Sequence, residues 1–368
     1  MIRVLHIVST LSKSSGVMSF IMSYFRNINR GKIQFDFLYW QNDNNSFIDE
    51  IKELGGNVYL IPKPNISKKF WYDFTAIFKE NSGKYNIIHL HEVYLNMLIY
   101  PFLRKYNINH LIAHAHTTKY SDKKISSLRN RILCLPLKNT VSEYFACSKA
   151  AGEFYFGKTS KRDNEVKIIN NAIDCDKFTF DKNTRMEMRN ELDINKKFVV
   201  GHIGRFNAQK NHDFLIDIFF EIQKQKTNSL LVLVGIGPLE GKIREKVERL
   251  GIPEKVLFLG QRNDVSDILQ AIDVFVLPSF FEGLGIVLVE AQAAGLDCFT
   301  SDIVPVEAKV TDRLKFLSLN LSAKEWAEKI IEETKSAKRV DEIEKIRDAG
   351  FDIRIEAEKL EKAYISLS

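Results

Sequence analysis

The strongest constraint on the fold is a rhythm of short, almost wholly apolar runs. In the first half VLHIVS, FDFLYW, VYLIP, IIHLHE, HLIAHAH, YFACS and VKIIN alternate with helix-like stretches such as VMSFIMSYFRNI and LNMLIYPFLRKY. Strands that are apolar on both faces, not alternately apolar and polar, belong to sheets covered by helices on both sides, and such sheets are parallel. The second half repeats the rhythm: FVVGHIG, LLVLVGIG, VLFLG, VFVLPS and CFTSD alternate with HDFLIDIFFEIQKQ, LEGKIREKVERLG, VSDILQAI and IVLVEAQAAG. The pattern predicts an α/β protein of two Rossmann-like, doubly wound domains facing a central cleft.

At 368 residues the chain exceeds what one core usually holds. The polar stretch NNAIDCDKFTFDKNTR reads as the joint, giving domains 1–178 and 179–350, with the amphipathic segment 351–368 as a final helix packing back toward the first domain. The four cysteines form no CxxC pair, which argues against a disulfide framework or a zinc site and fits a reducing compartment. No apolar run approaches the ~18 residues of a membrane span, and the N-terminal run is too short for a signal peptide. Charge is uneven: residues 1–185 carry 27 basic and 16 acidic side chains, a net +11, and the remainder 26 against 31, a net −5. Such an imbalance fits either an anionic partner for the first half or drift in surface composition.

Ligands of open α/β sheets collect beyond the carboxyl ends of the strands. After FVVGHIG come Arg205 and Lys210, the latter just before a helix whose positive end disfavours a lysine unless an anion sits there too. After VFVLPS comes FFEGLGIVLVEAQAAG, with Glu282 in a loop and Glu290 eight residues on, inside a helix starting near Ile286. Eight residues is about 80° of helical rotation, so the two acids cannot form one stripe. Gly283 and Gly285 let backbone N–H groups approach a ligand at a second helix N-terminus. An extended ligand with a central diphosphate and hydroxyls at both ends matches this arrangement, its sugar toward Glu282 and its ribose toward Glu290.

With those residues in view, the segments GHIGRFNAQKNHDFLIDIF, LVLVGIGPLEGKI, VLFLGQRNDVSDIL, VFVLPSFFEGLGIVLVEAQAAG and VKIINNAIDCDKF resemble the retaining nucleotide-sugar glycosyltransferases of family 4, which have the GT-B fold. The similarity runs through nearly the whole chain and is greatest to the branch that builds bacterial capsule, exopolysaccharide or O-antigen units. It implies a UDP-sugar donor, or GDP-mannose, a lipid-linked saccharide acceptor, and no metal or other cofactor. The family's arginine and lysine on the donor diphosphate fall on Arg205 and Lys210, and its E-x7-E pair on Glu282 and Glu290. GQRNDV, with Arg262 and Asn263, is similar to the stretch lining the base pocket. The implied donor-binding set is Gly16, Arg205, Lys210, Gly235, Arg262, Asn263, Gly283, Leu284, Gly285 and Glu290; the catalytic set is Glu282, His116, Arg205 and Lys210.

His89 with His91, and His114 with His116, form two His-x-His pairs at strand ends. Period-2 spacing puts each pair on one face, but no carboxylate cluster lies nearby to complete a metal site. The resemblance instead carries the family's active-site histidine onto His116, and leaves His91 as a polar group near the cleft. The family's Gly-Gly-x-Glu loop reads Ser15-Gly16-Val17-Met18, keeping one glycine and losing the acid. The joint's usual Asn-Gly reads Asn171-Ala172. Asp174-Cys175-Asp176 has a metal-binding spacing by coincidence, and Gly235-x-Gly237 lacks the third glycine of a dinucleotide fingerprint.

The stretch 119–138 holds Lys119, Lys123, Lys124, Arg129, Arg131 and Lys138 against one acid, Asp122, with aliphatic residues between them. Such a segment suits an anionic membrane surface or a solvated helix. The expected place is the cytoplasm, peripheral on the inner face of the cell membrane, with no nucleic-acid partner. Two rival functions stay open: a nucleotide-sugar 2-epimerase of the same fold, and a non-catalytic sugar-binding subunit.

Overall fold

A computed structural model describes residues 1–65, 67–121, 124–157, 166–334 and 339–368, with only the backbone at 124 and 138. The described residues form two units, Met1–Ala172 with Ile353–Ser368, and Ile173–Asp352.

The first unit is built on a sheet of β1 (Ile2–Ile7), β2 (Ile33–Tyr39), β3 (Val58–Leu60), β4 (Ile87–Leu90), β5 (His110–Ala115), β6 (Glu143–Ala146) and β7 (Lys167–Ile168). Its order is β3-β2-β1-β4-β5-β6-β7, and every pairing is parallel. Every residue of β2 is buried, the expected state of a strand with helices on both faces. The last helix, Ile353–Ile365, belongs to this unit: Ile353, Ala357, Leu360 and Tyr364 pack into the core that holds Phe25, Phe35 and Phe37.

The second unit's sheet comprises β8 (Phe198–Ile203), β9 (Ser229–Val234), β10 (Val256–Phe258), β11 (Val274–Leu277), β12 (Asp297–Ser301) and β13 (Leu314–Leu317). Its order is β10-β9-β8-β11-β12-β13, again all parallel. In each sheet the order reverses beside the first strand, between β1 and β4 and between β8 and β11. Such a switch point opens a crevice at the strands' carboxyl ends.

Several elements escape a periodicity reading. The polar stretch taken for a joint is folded: Ile173 and Cys175 are buried in the second unit's core, and Asp181 caps a helix, Lys182–Glu191. Its polarity is consumed internally. Arg185 and Arg189 bond the Asp273 carboxylate and the carbonyls of Gln270, Ala271 and Ile272. Strand β13 and the helices Ala323–Thr334 and Ile343–Asp348 were also not anticipated; LKFL is too short to show a period.

Candidate active site

In the second unit the residues beyond β8 and β11 are laced into one structure. Asn207 caps a short turn by accepting from the Lys210 N–H at 3.2 Å, and Asn211, at φ +53°, redirects the chain into the helix His212–Gln225. The Asn211 side chain donates to the Pro278 carbonyl at 3.0 Å. The Gln209 side chain donates to the Phe281 carbonyl at 3.0 Å, and the Phe280 N–H to the Gln209 carbonyl at 2.8 Å. These bonds set Lys210 against Glu282: the ammonium lies 2.8 Å from Oε1, with both side chains mostly buried. Ser279 Oγ donates to the same oxygen at 2.6 Å, and Gln209 Nε2 to Oε2 at 3.2 Å. Glu282 is therefore a carboxylate held by three donors. Lys210 keeps two N–H bonds for another acceptor.

The helix Ile286–Ala293 begins at Gly285, whose φ of +79° suits glycine. The N–H groups of Gly283, Leu284 and Gly285 donate to no other described residue, so the positive end of this helix offers free donors. Glu290 lies in the helix's second turn, half-buried, and its carboxyl accepts no hydrogen bond from a described residue. Burial pushes it up to about 7, against a smaller downward pull from Lys210. The apolar run between the acids is the buried face that fixes Glu290 in place: Val287, Leu288 and Val289 all lie in the core. Lys210 is thus the common element, paired with Glu282 and acting at longer range on Glu290.

Arg205, on the same loop, is exposed and pairs with no carboxylate among the described residues. Gly235 holds that loop: at φ +135°, a Cβ there would meet the Gly204 carbonyl oxygen at 2.2 Å, and one at Gly237 would meet that of Phe206 at 2.4 Å. Close packing of two strand-end loops accounts for both glycines. Arg262 is bonded to Asp264 and, at 3.3 Å, to Glu191, which raises its already high pKa; Asn263 beside it is exposed. Two buried histidines back the site. Desolvation, with Lys210 nearby, lowers His202 well below its ordinary range and His212 to about 4, so neither adds charge.

The first unit's switch point is lined by imidazoles. His89, His91, His114 and His116 gather on one sheet face with a fifth, His6 on β1, which faces His89 in register. They bond in two chains. Nε2 of His116 meets Nδ1 of His91 at 2.7 Å, and Nε2 of His91 meets Nδ1 of His6 at 2.9 Å. Nδ1 of His89 meets the Tyr364 hydroxyl at 2.6 Å, and its Nε2 meets Nδ1 of His114 at 3.0 Å. Desolvation lowers all five, His6 and His116 to about 3. The triads His6/His89/His91 and His91/His114/His116 each keep three ring nitrogens within 4.8 Å and could offer ligands to a metal; inside them His91 is bonded to His6 and to His116, while Nε2 of His6 and Nε2 of His114 have no partner among the described residues. Nearby, Glu92 follows β4; burial raises its carboxyl, offset by hydrogen bonds from Ser9 and Tyr94. Gly16 opens the helix Gly16–Asn27 behind its Ser15 cap, and a Cβ there would meet nothing within 4 Å, so crowding does not require glycine.

Sequence reading passed over His6, Glu92, Gln209, His212 and Ser279. His6 lies in VLHIVS, at the same end of its strand as the His-x-His pairs, which is the signal that was available. Of the basic segment, Lys119, Arg129 and Arg131 are exposed, Asp122 and Lys123 fall outside the described residues, and the side chains of Lys124 and Lys138 are not described. Asp176 of the Asp-x-Asp pairs with Arg347, and Asp174 with Lys177.

A family model described as glycosyl transferases group 1 matches residues 184–347. A Bacillus subtilis (strain 168) protein carrying the glycosyltransferase name EpsF is 31% identical over 338 residues, covering 89% of this chain and 86% of that protein. The capsular polysaccharide biosynthesis glycosyltransferase CapH of Staphylococcus aureus is 24% identical over 376 residues, covering 100% of this chain and 99% of its own. Among solved structures, Anabaena Alr3699/HepE in complex with UDP and glucose superposes with a TM-score of 0.80 at 18% identity, covering 100% of both chains.

Proposed function

The chain belongs to the group 1 glycosyl transferases, with the paired doubly wound sheets of the GT-B class, and from that premise we propose that it transfers a hexose from a UDP-sugar to a hydroxyl of a lipid-linked saccharide in bacterial cell-surface polysaccharide synthesis, with retention at the anomeric carbon. The observation that carries this is the Lys210–Glu282 pair beside the free N–H groups of 283–285. Arg205, the two remaining Lys210 protons and those N–H groups would take the leaving diphosphate's charge, the role a divalent cation fills elsewhere. The ribose hydroxyls would donate to Glu290, and Arg262 and Asn263 would border the base. His116 would contact the sugar or the acceptor. UDP is the favoured nucleotide, because the Anabaena neighbour holds UDP and glucose; GDP-mannose is the alternative donor.

Retention requires a reason for not inverting. Glu282, held by Lys210, Ser279 and Gln209, has three of its four lone-pair sites occupied and is a weakened nucleophile, which favours attack on the same face assisted by the donor phosphate over a covalent glycosyl intermediate.

Supporting a lipid-linked acceptor, the helix Lys124–Leu133 and the turn after it expose Ile125, Leu128, Ile132 and Leu135, at 87%, 62%, 55% and 74%, alongside Arg129 and Arg131. An apolar stripe flanked by cations is the composition of a segment lying on an anionic bilayer. No helix among the described residues is long and apolar enough to cross a membrane. Replacing Leu128 and Ile132 by Glu should abolish binding to phosphatidylglycerol vesicles; unchanged binding would reject this surface.

Thermal unfolding with UDP-, GDP- and TDP-sugars tests the donor, since the right one raises the midpoint by mass action. UDP-sugars should stabilise the native protein and not Lys210→Ala. Conversion of UDP-N-acetylglucosamine to its 2-epimer with no acceptor present would establish the isomerase instead. Absence of both binding and turnover with every sugar nucleotide would leave a non-catalytic subunit.

A further inference from the structure

The histidine chain in the first unit has a property that neither its burial nor its place in the sheet requires. A neutral imidazole carries one N–H and one bare nitrogen. In the chain His116–His91–His6 each bond joins Nε2 of one ring to Nδ1 of the next. If both bonds form, only two arrangements of protons exist: all three rings protonated on Nε2, or all three on Nδ1. Choosing the tautomer of one ring chooses it for all. Outside this chain, Nδ1 of His116 has no partner among the described residues, yet it is not one of the enclosed, unbonded nitrogens, which here are Nε2 of His6 and Nε2 of His114. One end of the chain is therefore open and the other closed.

The surroundings hold the rings in place. His91 lies edge to edge with His116, centroids 5.0 Å apart and planes 26° apart, and with His6 at 5.2 Å and 17°. Phe20, from the helix Gly16–Asn27, meets the edge of His116 at 5.2 Å. Phe35 and Phe37 of β2 enclose His6 at 4.2 and 5.4 Å. Among the described charged groups Asp36 acts on His6, upward, and burial outweighs it; burial lowers His91 and His116 as well, so the chain stays neutral at pH 7.

We propose that His91, backed by His6, is a positioning residue that fixes the ring plane of His116 and ties its tautomer to that of His6, whose enclosed, partnerless Nε2 selects one of the two arrangements, so that His116 presents Nδ1 to its ligand wholly as an acceptor or wholly as a donor. The proposal rests on the reading of His116 as a ligand contact, though the state of the ring can be measured without any ligand. A metal is the competing occupant of the cluster. It would need three nitrogens about 2.1 Å from one point. Here six of the ring nitrogens are paired at 2.7 to 3.0 Å between near-parallel rings lying edge to edge, the geometry of N–H···N bonds.

The test is long-range nitrogen–proton NMR of the full-length protein labelled with 15N-histidine, at pH 7, for the native chain, His91→Leu, His91→Gln and His6→Phe. His6→Phe places a ring in a pocket already lined by phenylalanine, so it reports even if His91→Leu fails to fold. Native His6, His91 and His116 should each show one neutral tautomer, the same nitrogen protonated in all three. His91→Leu and His6→Phe should turn His116 into a tautomer mixture, while His91→Gln, which can still hydrogen-bond, should restore part of the bias. A mixture already present in the native protein, or a His116 signal unmoved by either apolar variant, overturns the proposal. Stoichiometric loss of these signals on adding zinc chloride overturns it in favour of a metal centre. With a UDP-sugar that the thermal screen shows to bind, His91→Leu should lower turnover in the native background and not in a His116→Ala background. If His116→Ala leaves turnover intact, the reading of His116 as a ligand contact fails while the NMR result on the chain still stands.

Discussion

The two units place different chemistry at the same topological position. Around the carboxyl ends of β1, β4 and β5 lie five imidazoles without net charge, four buried and His116 half-buried, paired through N–H···N bonds. Beyond β8 and β11 lie an exposed arginine, a lysine on a carboxylate, and a helix end whose first N–H groups bond no described residue. A neutral lining discriminates by the direction of hydrogen bonds and suits uncharged hydroxyls, whereas a cationic lining suits phosphate. The sheet topology decides where a site can form; the residues at the strand ends decide what it can hold.

The largest expected effect breaks the cationic side of this contrast. Lys210→Ala should reduce transfer at least a hundredfold, the order seen when one preorganised donor to developing charge is lost. Circular dichroism should show the fold retained; near-native UDP release would sink the assignment. The variant also leaves Glu282 with only its Ser279 and Gln209 donors, so a smaller fall in thermal midpoint is expected alongside.

Next comes the scaffold beneath the cations. Gly235→Ala puts a Cβ 2.2 Å from the Gly204 oxygen at a φ that L-residues avoid, and should cost about 3 kcal/mol in urea unfolding. Gly16→Ala meets no neighbour and should cost under about 1 kcal/mol. Equal losses in the two variants would remove the distinction between a glycine demanded by packing and one that is not.

The subtlest test concerns Glu290, the one acid of the second unit's site held near neutrality. Its folded value is about 7 against an ordinary 4.5, so the folded protein binds this proton more tightly than the unfolded chain does. Glu290 therefore detracts from stability progressively as pH rises from about 4.5, with the full cost present above about 7. Glu290→Gln should gain about 1–2 kcal/mol at pH 8 and nothing at pH 4. If ribose hydroxyls donate to the ionised acid, UDP binding should tighten from pH 6 to 8 and release protons, measurable by calorimetry in buffers of different ionisation enthalpy. The same variant should bind UDP weakly and without that pH dependence. A native binding curve flat across this range would detach Glu290 from the ribose.

Much of this was visible in the linear chain, because it depends on local regularities. Apolar runs such as IQFDFLY and SLLVLV mark buried parallel strands, since only such strands need apolar side chains on both faces. Gly283, Gly285 and Glu282 stand out because glycines flanking a helix start let backbone N–H groups approach a ligand, with the acid beside them. The folded nature of 173–191 was hidden, because polarity in a sequence does not distinguish solvent from internal partners such as Asp273.

The sequence by itself determined two repeats of a strand–helix pattern, and with them the ends at which ligands can gather, because periodicity and strand polarity are properties of consecutive residues. Only the tertiary structure decided that Lys210 bonds Glu282 72 residues away, that His6 joins the chain through His91 85 residues on, and that Glu290 has no hydrogen bond from a described residue. Those contacts join residues far apart in the chain, and the desolvation that holds Glu290 near 7 and the imidazoles neutral comes from the packed atoms around them.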